Sequence, residues 1–176
     1  MTNKYYRPNT LDEAMEILNK HKDENTHILA GGTDLMVQER DAYLNTNKSY
    51  SRPIIIDINF IKKEIGNINY DSNKDIVEIG SLSTYTDILE SGIIKDKVPV
   101  IAKSAFTVGG RQIQNMGTLG GMLGTATPAA DLTLALLVME ADIYLYSRRG
   151  CRKVALKDFF TGYRQTLREP DEIIVN

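Results

Sequence analysis

The sequence predicts an α+β fold built as two lobes, and three observations carry that prediction. Residues 1–58 alternate helical and strand patterns. Residues 59–176 instead mix helices with strands paired across short turns. Each half also contributes one glycine-rich stretch, "THILAGGTDLMVQER" at 26–40 and "NMGTLGGMLGTATPAADL" at 115–132.

The first half opens with a helix over residues 10–21. Leu11, Ala14, Met15 and Leu18 recur at the i, i+3, i+4, i+7 spacing of one helix face. Thr10 and Glu13 make the T-x-x-E capping box at its start. Residues 28–30 form a short buried strand. After Gly31 and Gly32 a second helix starts at Leu35, with Thr33 or Asp34 as its cap. "RPIIIDI", 52–58, is the continuous apolar run of a strand covered on both faces.

In the second half, residues 65–70 and 76–80 are strands around the turn "DSNKD". A helix starts at Thr84, with Asp87 three residues later, and another covers 99–106. Residues 132–139 are an apolar helix. Residues 143–146 and 152–156 pair around "SRRG". The closing "DEIIVN" reads as a strand just beginning, so the natural product is expected to continue past Asn176.

Composition narrows the function classes. Of 176 residues 42% are hydrophobic and 25% charged, a balance that buries a core. A net charge of −2 offers no footprint for nucleic acid. One cysteine, Cys151, excludes a four-cysteine cluster within the chain. The start "MTNKYYRPNT" does not read as a signal peptide, and no apolar run reaches the roughly 18 residues of a membrane helix. A cytoplasmic protein without membrane contact is expected.

The glycines indicate what the chain binds. A strand that runs through glycines into a helix leaves backbone N–H groups free, and these groups attract phosphate. Residues 29–35 fit that description. So do residues 117–121, where Thr118 adds a hydroxyl. A lone Gly-Gly is ordinarily a turn, but two such loops from two halves suit a ligand with two phosphates lying between them. Neither G-x-G-x-x-G nor G-x-x-x-x-G-K-[ST] occurs, which argues against a Rossmann dinucleotide site and P-loop phosphoryl transfer.

"LAGGTDL" followed by "GGRQIQNMGTLGGMLGTATPAADL" resembles the FAD-binding domain of the molybdenum hydroxylases, the family of xanthine dehydrogenase and carbon monoxide dehydrogenase. The resemblance extends to the opening "YYRPNTLDEAMEIL" and the closing "LREPDEIIV". It implies a two-lobed fold of the PCMH (vanillyl-alcohol-oxidase-like) type. Residues 1–58 would be a small α/β lobe, and 59–176 a larger lobe with a mostly antiparallel sheet. It implies FAD, with Ala30, Gly31, Gly32, Thr33, Asp34 and Leu35 at the pyrophosphate. Thr118, Leu119, Gly120 and Gly121 would reach the same group from the second lobe. Asp131 would bind ribityl hydroxyls, and Ile174 would lie on the adenine or flavin side. Leu29, Val108 and Asn115 complete the implied set.

The implied role is that of the medium subunit. Electrons from a molybdopterin large subunit, passed through [2Fe–2S] centres of a small subunit, would reach FAD here and then NAD+ or another acceptor. No catalytic acid, base or nucleophile is expected, and His21 and His27 are expected at the surface. The chain departs from the family pattern at Gln114, where arginine is usual, and at Met122, where asparagine is usual. Both changes put FAD binding in doubt. The family's C-terminal domain is expected to be missing. Arg148, Arg149, Arg152 and Lys153 read as a solvated hairpin tip or as a docking patch for an acidic partner. Two other functions stay open: a stand-alone FAD oxidoreductase of the same fold, and a non-redox assembly subunit that has lost flavin.

Overall fold

A computed structural model describes residues 4–45 and 50–176. The small α/β lobe is a three-stranded parallel sheet, ordered β1-β3-β2, of β1 (Tyr5–Tyr6), β2 (Thr26–Leu29) and β3 (Ile54–Asp57). Helices α1 (Leu11–Lys20) and α2 (Leu35–Asn45) make the two connections. The central strand is the apolar "IIID", as a strand with two neighbours requires. Ala14, Met15 and Leu18 of α1 are buried with Ile56 of β3, Ile58, Ile61 and Ile65. Thr10 caps α1, its hydroxyl accepting the Glu13 N–H at 3.1 Å. The return arm of the expected capping box differs. The Glu13 carboxylate accepts from Asn9 N–H at 2.7 Å, one residue earlier than the cap.

The chain then makes α3 (Lys62–Ile65) and a hairpin of β4 (Ile68–Asp71) and β5 (Ile76–Ile79). The first strand of that hairpin starts three residues later than expected because Ile65 ends a helix and is buried with the small lobe. Helices α4 (Tyr85–Glu90), α5 (Gly92–Lys97), α6 (Pro99–Phe106), α7 (Arg111–Met116), α8 (Leu119–Thr125) and α9 (Asp131–Val138) follow. At α4 the capping box is complete, with Thr84 and Asp87 bonded reciprocally. The glycine-rich stretch is itself helical, as α7 and α8.

A second sheet, ordered β10-β6-β7, is antiparallel: β6 (Asp142–Ser147), β7 (Gly150–Ala155) and β10 (Ile173–Ile174). Between them lie α10 (Leu156–Phe159) and a two-stranded hairpin of β8 (Phe160–Gly162) and β9 (Gln165–Thr166). Neighbouring residues of β10 serve different cores. Ile174 joins Leu119, Leu123 and Leu145 of the larger lobe, while Ile173 joins Leu18 and Ile56 of the smaller. This alternation of a strand's side chains stitches the lobes together. No helix among the described residues is long and apolar enough to cross a membrane.

Two surface expectations are corrected. His21 is buried at 3% exposure at the C-cap of α1. Its ring meets the Tyr6 hydroxyl at 3.1 Å and Glu24 Oε1 at 2.6 Å, so it fills the gap between β1 and the end of α1. His27 is partly buried in β2, with Nδ1 3.3 Å from Glu39 Oε1. The basic hairpin tip is engaged by the chain's own acidic segment. Arg149 pairs with Glu169 at 2.7 Å and Asp171 at 3.1 Å, and Arg152 reaches the buried Glu172 at 2.6 Å.

Candidate functional site

The first glycine stretch leaves the C-terminal end of β2, where open parallel sheets present their ligand crevices. Ile58 N–H takes the Leu29 carbonyl and Asn59 Nδ2 takes that of Ala30, at 2.9 and 2.8 Å. The chain then turns through Gly32 at φ +70°, a left-handed conformation natural to glycine. Helix α2 starts with Met36 N–H bonded to the Gly32 carbonyl. Among the described residues, no backbone N–H from Gly31 to Leu35 has a partner within the chain. Buried or half-buried amides without partners are rare in a folded protein. Here five stand in succession at one edge of a cleft.

The second stretch works differently from the expectation. Its amides are engaged within the chain: Leu119 N–H with the Ser83 carbonyl, Gly120 N–H with Ser81, and Gly121 N–H with Thr118 Oγ1. Capping α8 uses Thr118 Oγ1 as an acceptor and leaves its hydroxyl proton as a donor. The glycines here allow close approach. A Cβ on Gly31 would lie 1.8 Å from the Met116 carbonyl oxygen, so the two loops touch backbone to backbone. A Cβ on Gly120 would lie 2.6 Å from Cβ of Ser81 and 3.0 Å from its carbonyl oxygen.

The two stretches wall a cleft of about 550 Å³, within the usual range of ligand pockets. Ala30 to Leu35, Thr118, Gly120, Gly121, Val108, Asp131 and Ile174 all line it. Leu29, Asn115 and Leu119 do not. Leu29 belongs to the β2–β3 ladder, Asn115 accepts a hydrogen bond from Thr86 at 2.6 Å, and Leu119 is buried in the larger core. Thr107 Oγ1 lies 2.8 Å from the Ser104 carbonyl oxygen and 3.1 Å from Asp131 Oδ2, and among the described residues Oδ1 of Asp131 has no partner at the start of α9. Asp34 does not cap α2 through its side chain. Its carboxylate accepts from Gln38 Nε2 at 2.6 Å and faces Arg164 at 3.6 Å.

Gln114 and Met122 both have structural roles. Gln114 is buried and its Nε2 donates to the carbonyls of Phe106 and Val108, each at 3.2 Å. It thereby holds the segment that brings Val108 to the cleft. Met122 is buried in the larger core, its sulfur 3.9 Å from Thr133 Oγ1.

Sequence reasoning missed four contributors. Arg164 and Arg168 line the cleft from the segment after β8, the first facing Asp34 at 3.6 Å and the second donating to the carbonyls of Glu169 and Glu172. Ser81 also lines it, and among the described residues its buried Oγ has no partner. Asn59 holds the Ala30 carbonyl from behind. Only contacts across the fold identify them, and no local motif marks any of the four. Tyr85 closes the floor against Gly117, and burial pushes its phenol up to about 12. Burial pushes the Asp57 carboxyl up, but hydrogen bonds from Tyr5 and Asn59 outweigh it and hold the group below the usual range. Among the described residues, no group of three or more His, Cys, Asp or Glu side chains could hold a metal ion.

The donor set fits a diphosphate. It combines amides unpaired among the described residues with a hydroxyl proton on the opposite wall. Comparison with known proteins agrees. The model of the FAD binding domain in molybdopterin dehydrogenase matches residues 1–176. The nicotinate dehydrogenase FAD-subunit of Eubacterium barkeri is 37% identical over 173 residues, covering 97% of this chain and 55% of that protein. The glyceraldehyde dehydrogenase medium chain of Sulfolobus acidocaldarius is 36% identical over 159 residues, 90% of this chain and 52% of that one. The chain thus spans about half the length of these relatives. Carbon monoxide dehydrogenase from Hydrogenophaga pseudoflava superposes with a TM-score of 0.86 at 28% identity, covering 99% of this chain and 57% of that one.

Proposed function

The chain belongs to the family of FAD-binding domains in molybdopterin dehydrogenases, and we propose that it holds FAD in a molybdenum-dependent dehydrogenase of the xanthine dehydrogenase type. The N–H groups of Gly31 to Leu35 bind the diphosphate, and the Thr118 hydroxyl donates to it from the opposite wall. The Asp131 carboxylate accepts from sugar or ribityl hydroxyls. Val108 and Ile174 give apolar contact to a ring system. The two lobes close on the cofactor from its two sides. FAD, when bound, supplies the redox chemistry. The residues of the chain orient it, shield it and stabilise its charge.

In the assembled enzyme the chain accepts electrons from [2Fe–2S] centres of a small subunit, themselves supplied by a molybdopterin large subunit. It delivers them to NAD+ or another acceptor in the cytoplasm. The single observation that carries this reading is the run of five amides, unpaired among the described residues, at the edge of a cleft walled by a second glycine stretch. A test is co-expression of the full gene with candidate large- and small-subunit genes. Co-purification with molybdenum and iron–sulfur protein, with bleaching of the flavin bands on adding the oxidisable substrate, supports it. A flavin that stays oxidised while the iron–sulfur centres are reduced contradicts it.

A further inference from the structure

We propose that Asn59 is a positioning residue for the cofactor loop, aiming the Gly31 N–H into the cleft through its hold on the Ala30 carbonyl. The inference rests on the reading of FAD as the ligand. In a trans peptide the carbonyl and the following N–H point in opposite directions. Asn59 Nδ2 takes the Ala30 carbonyl oxygen at 2.8 Å from the side of the small sheet, so the Gly31 N–H is turned the other way. Gly31 lines the cleft, and among the described residues its N–H has no partner. Without Asn59 the same peptide could rotate and present a carbonyl oxygen to an anion.

Asn59 is itself fixed. Its backbone N–H and its Nδ2 both donate to Asp57 Oδ1, at 3.0 and 2.7 Å. The other oxygen of that buried carboxylate accepts from the Tyr5 hydroxyl at 2.5 Å, with Arg7 Nε 3.9 Å away. The relay runs from β1 through the end of β3 to the loop after β2. The parallel sheet thereby sets the orientation of a peptide that none of its strands contains. Asn59 is exposed and packs into neither core, so a role in packing does not account for these contacts.

The test compares wild type, Asn59→Ala and Thr10→Ala, the last removing a helix cap distant from the cleft. FAD affinity, melting temperature of the apoprotein and the residual dipolar coupling of the Gly31 N–H are measured. Asn59→Ala is expected to weaken FAD binding about tenfold, the effect of one charge-assisted hydrogen bond. It should also change the Gly31 coupling in the apoprotein. Thr10→Ala should lower the melting temperature by about 2–4 °C and leave both readouts unchanged. Wild-type affinity together with a wild-type Gly31 coupling in Asn59→Ala overturns the proposal. If the wild-type chain retains no FAD, the cofactor reading fails by itself and the coupling alone decides: changed in Asn59→Ala, the positioning role stands; unchanged, it falls.

Discussion

The backbones of Gly31 and Met116 meet with no side chain between them: a Cβ on Gly31 would lie 1.8 Å from the Met116 carbonyl oxygen and 2.6 Å from its carbon. Backbone cannot rotate away as a flexible side chain can. Gly31→Ala must therefore separate the two glycine stretches. The expected cost is about 1–3 kcal/mol of stability, read by urea unfolding, together with loss of retained flavin. Wild-type stability would mean that the loops do not touch.

Gly32 is constrained by conformation more than by space. Its φ is +70°, and an added Cβ would meet only the side chains of Leu29 and Met36, at 3.1 and 3.3 Å. Gly32→Ala should cost about 1–2 kcal/mol while the loops stay in contact. Replacement by asparagine, which tolerates this conformation better, should recover part of the loss. Equal losses for alanine and asparagine would argue against the left-handed turn.

Ser81 should show the opposite sign. Among the described residues its buried Oγ lacks a partner, a state that costs stability. Ser81→Ala should leave the apoprotein as stable or raise its stability by about 1 kcal/mol. A clear loss in urea unfolding would show that the hydroxyl is bonded.

Gln114 holds the carbonyls of Phe106 and Val108. Gln114→Ala should cost about 1–3 kcal/mol. It should also weaken FAD binding, because Val108 loses its anchor. Unchanged stability with unchanged affinity would show that the Phe106–Val108 segment is held by other contacts.

Acid should destabilise the fold through two buried carboxylates. Burial pushes Asp57 and Glu172 up, but hydrogen bonds from Tyr5 and Asn59, and from Arg152 and the Glu169 N–H, bring each below its usual value. A folded-state value below the unfolded one means the stabilisation is present above about pH 4. It is lost as pH falls through the depressed values. Unfolding free energy should decline in that window, and Asp57→Asn should flatten part of the decline. A profile identical in Asp57→Asn would show that Asp57 does not contribute.

The sequence made the elements legible wherever periodicity or capping was local. The Leu11, Ala14, Met15, Leu18 face and the helix start at Thr84 both occur as read. Helices α5 and α7 were not legible, because six residues give too little period to detect. The glycine-rich α8 was hidden by its own composition. Its glycines serve contacts with Ser81 and the first loop, which no local pattern encodes. For the same reason the second stretch looked like a source of free amides. In the structure its amides are bonded to residues 81, 83 and 118, and the unpaired donors belong to the first stretch. Asn59 and Arg164 were invisible because each acts across the fold, on Ala30 and Asp34.

The most direct measurement is the flavin retained after desalting, taken from visible absorbance and phosphorus content, for wild type and Gly31→Ala incubated with FAD. The two-stretch clasp predicts flavin equimolar with the wild-type chain and little in the variant. A wild-type chain that retains none even at high FAD, or a variant that retains as much as wild type, contradicts it.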